Sequence, residues 1–146
     1  MTAFKKSYYI NSRDFIRAGE ASIKIQTLLK SLNFDPKLIR RVAICGYEGE
    51  MNVVMHGGDG SMSFAIHPDE LILEISDDGP GIADIEKAMQ AGFSTASDAH
   101  REMGFGAGMG LPNMKKNADD IIVESEKGLG TRIRMVFFID KGGGTG

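Results

Sequence analysis

Cysteine, long apolar runs and surplus basic charge are all scarce in this chain, and each scarcity removes a class of protein. One cysteine, Cys45, excludes an internal disulfide and fits a reducing compartment. No uncharged apolar stretch approaches the ~18 residues of a membrane span. The first ten residues hold no signal-peptide core, so a cytoplasmic chain is expected. Lysine and arginine total 17 against 20 aspartates and glutamates, a net charge of −3, so neither nucleic acid nor membrane is an expected partner. Also missing are the phosphate loop GxxxxGK(S/T), the dinucleotide spacing GxGxxG, and the HRD and DFG signatures of ordinary protein kinases. There is no internal repeat. At 146 residues the chain suits a single domain over 1–140, with 141–146 a flexible glycine-rich tail.

Glycine, by contrast, is plentiful, and it is concentrated. Asp77-Asp78-Gly79-Pro80-Gly81 and Gly104-Phe105-Gly106-Ala107-Gly108-Met109-Gly110 are two dense clusters. Such clusters are ordinarily turns. They also let a backbone approach a ligand closely and turn successive N–H groups toward an anion, best where a helix begins. The second cluster runs directly into Leu111-Pro112-Asn113-Met114, a helix start.

Periodicity supplies the remaining elements. Ser7–Ile10 is β-prone and suits an edge strand. Asn11-Ser12 offers a cap, and Phe15, Ala18, Ile25, Leu28 and Leu32 recur at helical spacing, predicting a helix over about 13–32 that Asn33-Phe34 ends. Asp35-Pro36 is an N-cap followed by proline at the first helical position, so a second helix should run to about Met55. Its core face is Ile39, Val42, Gly46, Gly49 and Val53. Two glycines inside a helix each cost about 1 kcal/mol against alanine, which something packed closely on them would explain.

On another face Glu48, Asn52 and His56 stack at i, i+4 and i+8. A solvated polar stripe looks the same, as does a constellation aimed at a ligand. Strands are predicted at Ser61–Ile66, Leu71–Ser76, Asp120–Ser125 and Thr131–Ile139, and short helices at Asp84–Ala91 and Leu111–Asn117. The polar segment from Gly92 to Met103 suits either a lid or an ordinary loop. Together these predict an α+β two-layer sandwich: a mixed, mainly antiparallel sheet with helices on one face.

Glu48-x-x-x-Asn52 on a helix, Asp77-x-Gly79-x-Gly81 after a strand, Gly106-x-Gly108-x-Gly110-Leu111 before a helix and Gly130-Thr131 opening a last strand form an ordered set. That order resembles the Bergerat ATP-binding fold of gyrase B, Hsp90, histidine kinases and MutL. Within that superfamily the chain is similar to the small bacterial serine/threonine kinases of partner-switching systems. The run from Asp78 to Met89 with Gly92-Phe93-Ser94-Thr95 looks like the stressosome switch kinase, whereas Asn52-x-x-x-His56 looks like the anti-sigma and histidine kinases.

The resemblance implies ATP or ADP with Mg²⁺. Asp77 would accept a hydrogen bond from the adenine amine, Gly79 and Gly81 would let the ring approach, and Thr131 would support the aspartate. Asn52 would bind Mg²⁺; Gly104, Gly106, Gly108, Met109, Gly110 and Leu111 would line the phosphates; Glu48 would be the general base. His56 would either face the phosphates or cap its helix. Lys115 and Lys116 would neutralise phosphate charge or simply be solvated, and Cys45 would pack. The implied partner is a small STAS-type antagonist protein, with a sigma factor or phosphatase as a second partner and a homodimer open. The alternative to a kinase is a nucleotide-gated binding module with little or no phosphotransfer.

Overall fold

The computed structural model describes residues 4–56, 58–79, 110–126 and 130–139. In chain order it contains β1 (Phe4–Ile10), α1 (Glu20–Ser31), α2 (Pro36–His56), β2 (Gly60–Ile66), β3 (Glu70–Asp77), α3 (Gly110–Asn117), β4 (Asp120–Glu126) and β5 (Gly130–Phe138). The expected Asp84–Ala91 helix, the segment 92–103 and the tail lie outside the described residues.

The five strands form one sheet in the order β1-β2-β3-β5-β4, and all four pairings are antiparallel. Alternation decides which side is covered. Met62 and Phe64, Leu71, Leu73 and Ile75, and Ile133, Met135 and Phe137 share one face and are buried. They meet Ile25 and Leu29 of α1, Val42 and Val53 of α2, and Leu111 and Met114 of α3. Each large side chain buried this way contributes about 1.5–3 kcal/mol. Arg132 and Arg134 alternate to the other face and are exposed. The result is the predicted two-layer sandwich with helices on one side, its sheet wholly antiparallel among the described residues rather than mixed. Among the described residues no helix is long and apolar enough to cross a membrane.

Helix α2 starts as its sequence dictates: Asp35 Oδ1 accepts the Lys37 N–H at 3.0 Å, with Pro36 at the first helical position. Its glycines have a packing reason. A Cβ on Gly49 would collide with Ile75 Cδ1, and Gly46 lies against Ser22 of α1. Gly49 therefore lets the middle helix lie directly on β3.

Helix α1 corrects the expectation. It begins at Glu20, not near residue 13, and Asn11-Ser12 does not cap it. Arg13 sits at φ 64 with its N–H donated to Val54 O, and Gly19 at φ 96, so 13–19 cannot be helical. Gly19 contributes no side-chain cap. The buried Glu50 carboxylate reaches over from α2 to accept the Ala21 and Ser22 N–H groups at 3.1 and 3.0 Å. The buried face is consequently Ala21, Ser22, Ile25 and Leu29, leaving Leu32 48% exposed. The helix ends where expected. Asn33 is left-handed (φ 60), with its N–H on Lys30 O and that of Phe34 on Leu29 O.

Candidate functional site

Glu48 and Asn52 lie one turn apart on α2, so their side chains leave the helix in the same direction. Both are partly buried. Asn113, in the first turn of α3, donates its Nδ2 hydrogen to Glu48 Oε2 at 2.5 Å. This bond turns the carboxylate toward α3 and fixes its orientation.

Asn52 meets the start of α3. A Cβ built on Gly110 would lie 3.2 Å from Asn52 Oδ1 and 3.4 Å from Nδ2. Any side chain there would fill the space beside the amide, which has no hydrogen-bond partner among the described residues. The N-terminal backbone of α3 and an amide oxygen thus lie at one corner, a donor set suited to a phosphate with a hard cation.

Asp77 is the last residue of β3 and continues the inward face of Leu71, Leu73 and Ile75. Val53, the residue after Asn52, and the Cβ of Asp77 each lie 3.1 Å from a Cβ built on Gly60. Asp77 and Asn52 are therefore on the same side of the sheet at the same end of α2. Gly79, buried, donates its N–H to Asp77 Oδ1 at 2.8 Å. Burial pushes the Asp77 carboxyl above its ordinary value of 3.8; the Gly79 bond acts against this, and the neighbouring Asp78 charge adds to it. Thr131 is the cross-strand partner of Asp77. Its hydroxyl pairs with Ser125 Oγ at 2.9 Å, so it stands beside the aspartate already engaged.

Four of the sequence motifs thus meet at one end of the helical layer, through Glu48, Asn52, Asp77, Gly79, Gly110, Leu111 and Thr131. A model of the histidine kinase-, DNA gyrase B-, and HSP90-like ATPase family matches residues 48–141. The chain belongs to this family. The anti-sigma F factor of Clostridium acetobutylicum is 38% identical over 124 residues, 80% of this chain and 83% of that protein. The serine/threonine-protein kinase RsbT of Bacillus subtilis is 30% identical over 115 residues, 76% of this chain and 80% of that one. The crystal structure of the SiaB–SiaC complex from Pseudomonas aeruginosa contains a chain with the same fold, at a TM-score of 0.61 and 13% identity, covering 93% of this chain and 89% of that chain.

As a histidine kinase-, gyrase B- and Hsp90-like ATPase the chain is a nucleotide-binding domain, and its matched span opens on Glu48. Gly81, Gly104, Gly106, Gly108 and Met109 lie outside the described residues, as does the side chain of His56. Asn113 was not singled out from the sequence. Its signal was available, a side-chain amide in the first turn of the helix that follows the glycine cluster, but its partner is 65 residues away. Lys115 and Lys116 are exposed. Cys45 is buried with its Sγ 3.6 Å from Met114 O, and burial pushes its thiol up to about 12, as befits a packing residue.

Proposed function

We propose that the chain is an ATP-dependent serine/threonine protein kinase of the anti-sigma-factor type, acting on a small STAS-type antagonist protein in a partner-switching system. The observation that carries this is the Glu48 carboxylate, oriented by Asn113 and one turn from Asn52 at the N-terminus of α3. The relatives named an anti-sigma F factor and a serine/threonine-protein kinase support it.

In this reading Asp77 accepts a hydrogen bond from the adenine amine, while the Gly79 N–H orients the carboxylate. Guanine would present a carbonyl there, leaving two acceptors facing each other in a partly buried place. Asn52 Oδ1 would hold Mg²⁺, and the N–H groups of Gly106, Gly108, Gly110 and Leu111 would hold the phosphates. Bound ATP with Mg²⁺ supplies the phosphoryl group to be transferred. Glu48 takes the proton from the serine or threonine hydroxyl as that oxygen bonds to the γ-phosphorus and ADP departs. Asn113 is a positioning residue that keeps the carboxylate aimed.

The test is incubation with γ-labelled ATP, Mg²⁺ and purified STAS-domain proteins. A labelled serine or threonine is expected, and Glu48→Gln should slow labelling by about 10²–10⁴-fold while leaving ADP affinity intact. A Glu48→Gln variant that labels at the wild-type rate would remove the base from this account. Nucleotide binding with no labelled acceptor would remove the kinase.

A further inference from the structure

A cleft of about 1200 Å³ runs along the outer surface of α2, between the end of α1 and the body of α3. Its floor is one face of α2, where Pro36, Arg40, Ala43 and Tyr47 recur at three- and four-residue spacing, with Glu48 beside Tyr47. Lys30 and Phe34 form one wall; Asn113 and Lys116 form the other. We propose that this groove docks an acidic element of the phosphoacceptor protein and lays its hydroxyl against Glu48. The inference rests on the kinase reading of the same site and specifies how its protein substrate is held.

Three observations point to this occupant. The groove is continuous with the site, since Glu48 and the Asn113 that orients it are both lining residues. Its charge runs against that of the chain: Lys30, Arg40 and Lys116 line it, and Glu48 is its one acid among the described residues, in a protein of net charge −3. All three cations are exposed and make no ion pair among the described residues. They are available to steer an acidic partner and fix its register. Finally, its size exceeds the roughly 300–1,000 Å³ of small-molecule pockets. Phe34 and Tyr47, the latter 43% exposed, offer apolar contact of the kind that anchors protein surfaces. A carboxylate at its inner end disfavours a nucleic-acid backbone.

The experiment uses the full chain with ADP and Mg²⁺ and follows fluorescence anisotropy of three labelled probes. These are a peptide with a central serine flanked by aspartates and glutamates, the same peptide with lysines, and a single-stranded oligothymidylate. The acidic peptide should bind alone, more weakly as salt rises. Lys30→Glu with Arg40→Glu should weaken it by about tenfold or more, Arg40→Ala by less, with ADP affinity unchanged in both. Failure of the acidic peptide to bind, equal binding of the lysine peptide or oligothymidylate, or undiminished affinity in the charge-reversed variant overturns the proposal. The kinase reading fails separately. Charge-dependent binding without phosphotransfer sinks the kinase and leaves the groove, whereas phosphotransfer indifferent to Lys30→Glu with Arg40→Glu sinks the groove alone.

Discussion

Asp77 is asked to be charged in a place that resists charge. Burial raises its pKa above 3.8, and the proposed bond from the adenine amine calls for the ionised form as acceptor. Two signs follow. The native state holds this proton more tightly than the unfolded chain does, so the stability it contributes is complete below 3.8 and is lost as pH rises through the raised native pKa. Nucleotide binding runs the other way, weakening as pH falls through that same pKa. ADP titrations by calorimetry between about pH 4 and 8 should show this fall, and Asp77→Asn should weaken binding at neutral pH while abolishing the pH dependence. The unliganded Asp77→Asn protein should melt no lower than wild type at neutral pH. A wild-type affinity flat across the range would mean that the carboxylate does not meet the base. The placement of the aspartate is legible in the sequence because it depends on near neighbours: a strand that ends, then glycines. That of Asn113 is not, because it depends on a partner in another helix.

Elements show the same division between local and distant causes. Helix α2 was readable to within a residue at its start, since Asp35 and Pro36 carry their own signal and the core face repeats without a break. Helix α1 begins about seven residues later than its apolar spacing predicts. Its apolar spacing extends back through Ala18 and Phe15, and nothing local announces that Glu50, 29 residues on from Ala21, supplies its cap. Glu50 is 3% exposed and satisfies two N–H groups that would otherwise be orphaned in the core, with its negative charge at the favourable end of the helix. Glu50→Ala should therefore cost about 2–4 kcal/mol in urea denaturation. Glu20→Ala, an exposed first-turn acid on the same helix, should stay within about 0.5 kcal/mol. Equal effects from the two would show that Glu50 does not hold the end of α1.

At the scale of the whole molecule, the site belongs to no single element. Glu48 and Asn52 come from α2, Asp77 and Gly79 from β3 and just beyond it, Gly110 and Asn113 from α3, and Thr131 from β5. The sheet order β1-β2-β3-β5-β4 makes this possible by pairing β5 directly with β3, which sets Thr131 opposite Asp77. Gly49 then allows α2 to lie on β3 closely enough to bring Asn52 to the same end. The unfolded chain scatters these groups, so a nucleotide that binds them together binds only the native state. At a free concentration of about 100 Kd that linkage amounts to about 2.7 kcal/mol, or a rise of about 5–10 °C in Tm for a chain of this length. ADP with Mg²⁺ should produce that rise in a thermal melt, and GTP should not, because in the proposed site Asp77 would face its carbonyl. Asn52→Ala should make the ADP shift insensitive to added Mg²⁺, while leaving the unliganded melt near that of wild type, since the amide is bonded to no described residue. An equal shift with GTP would detach Asp77 from the base, and a Mg²⁺ effect surviving Asn52→Ala would place the cation elsewhere.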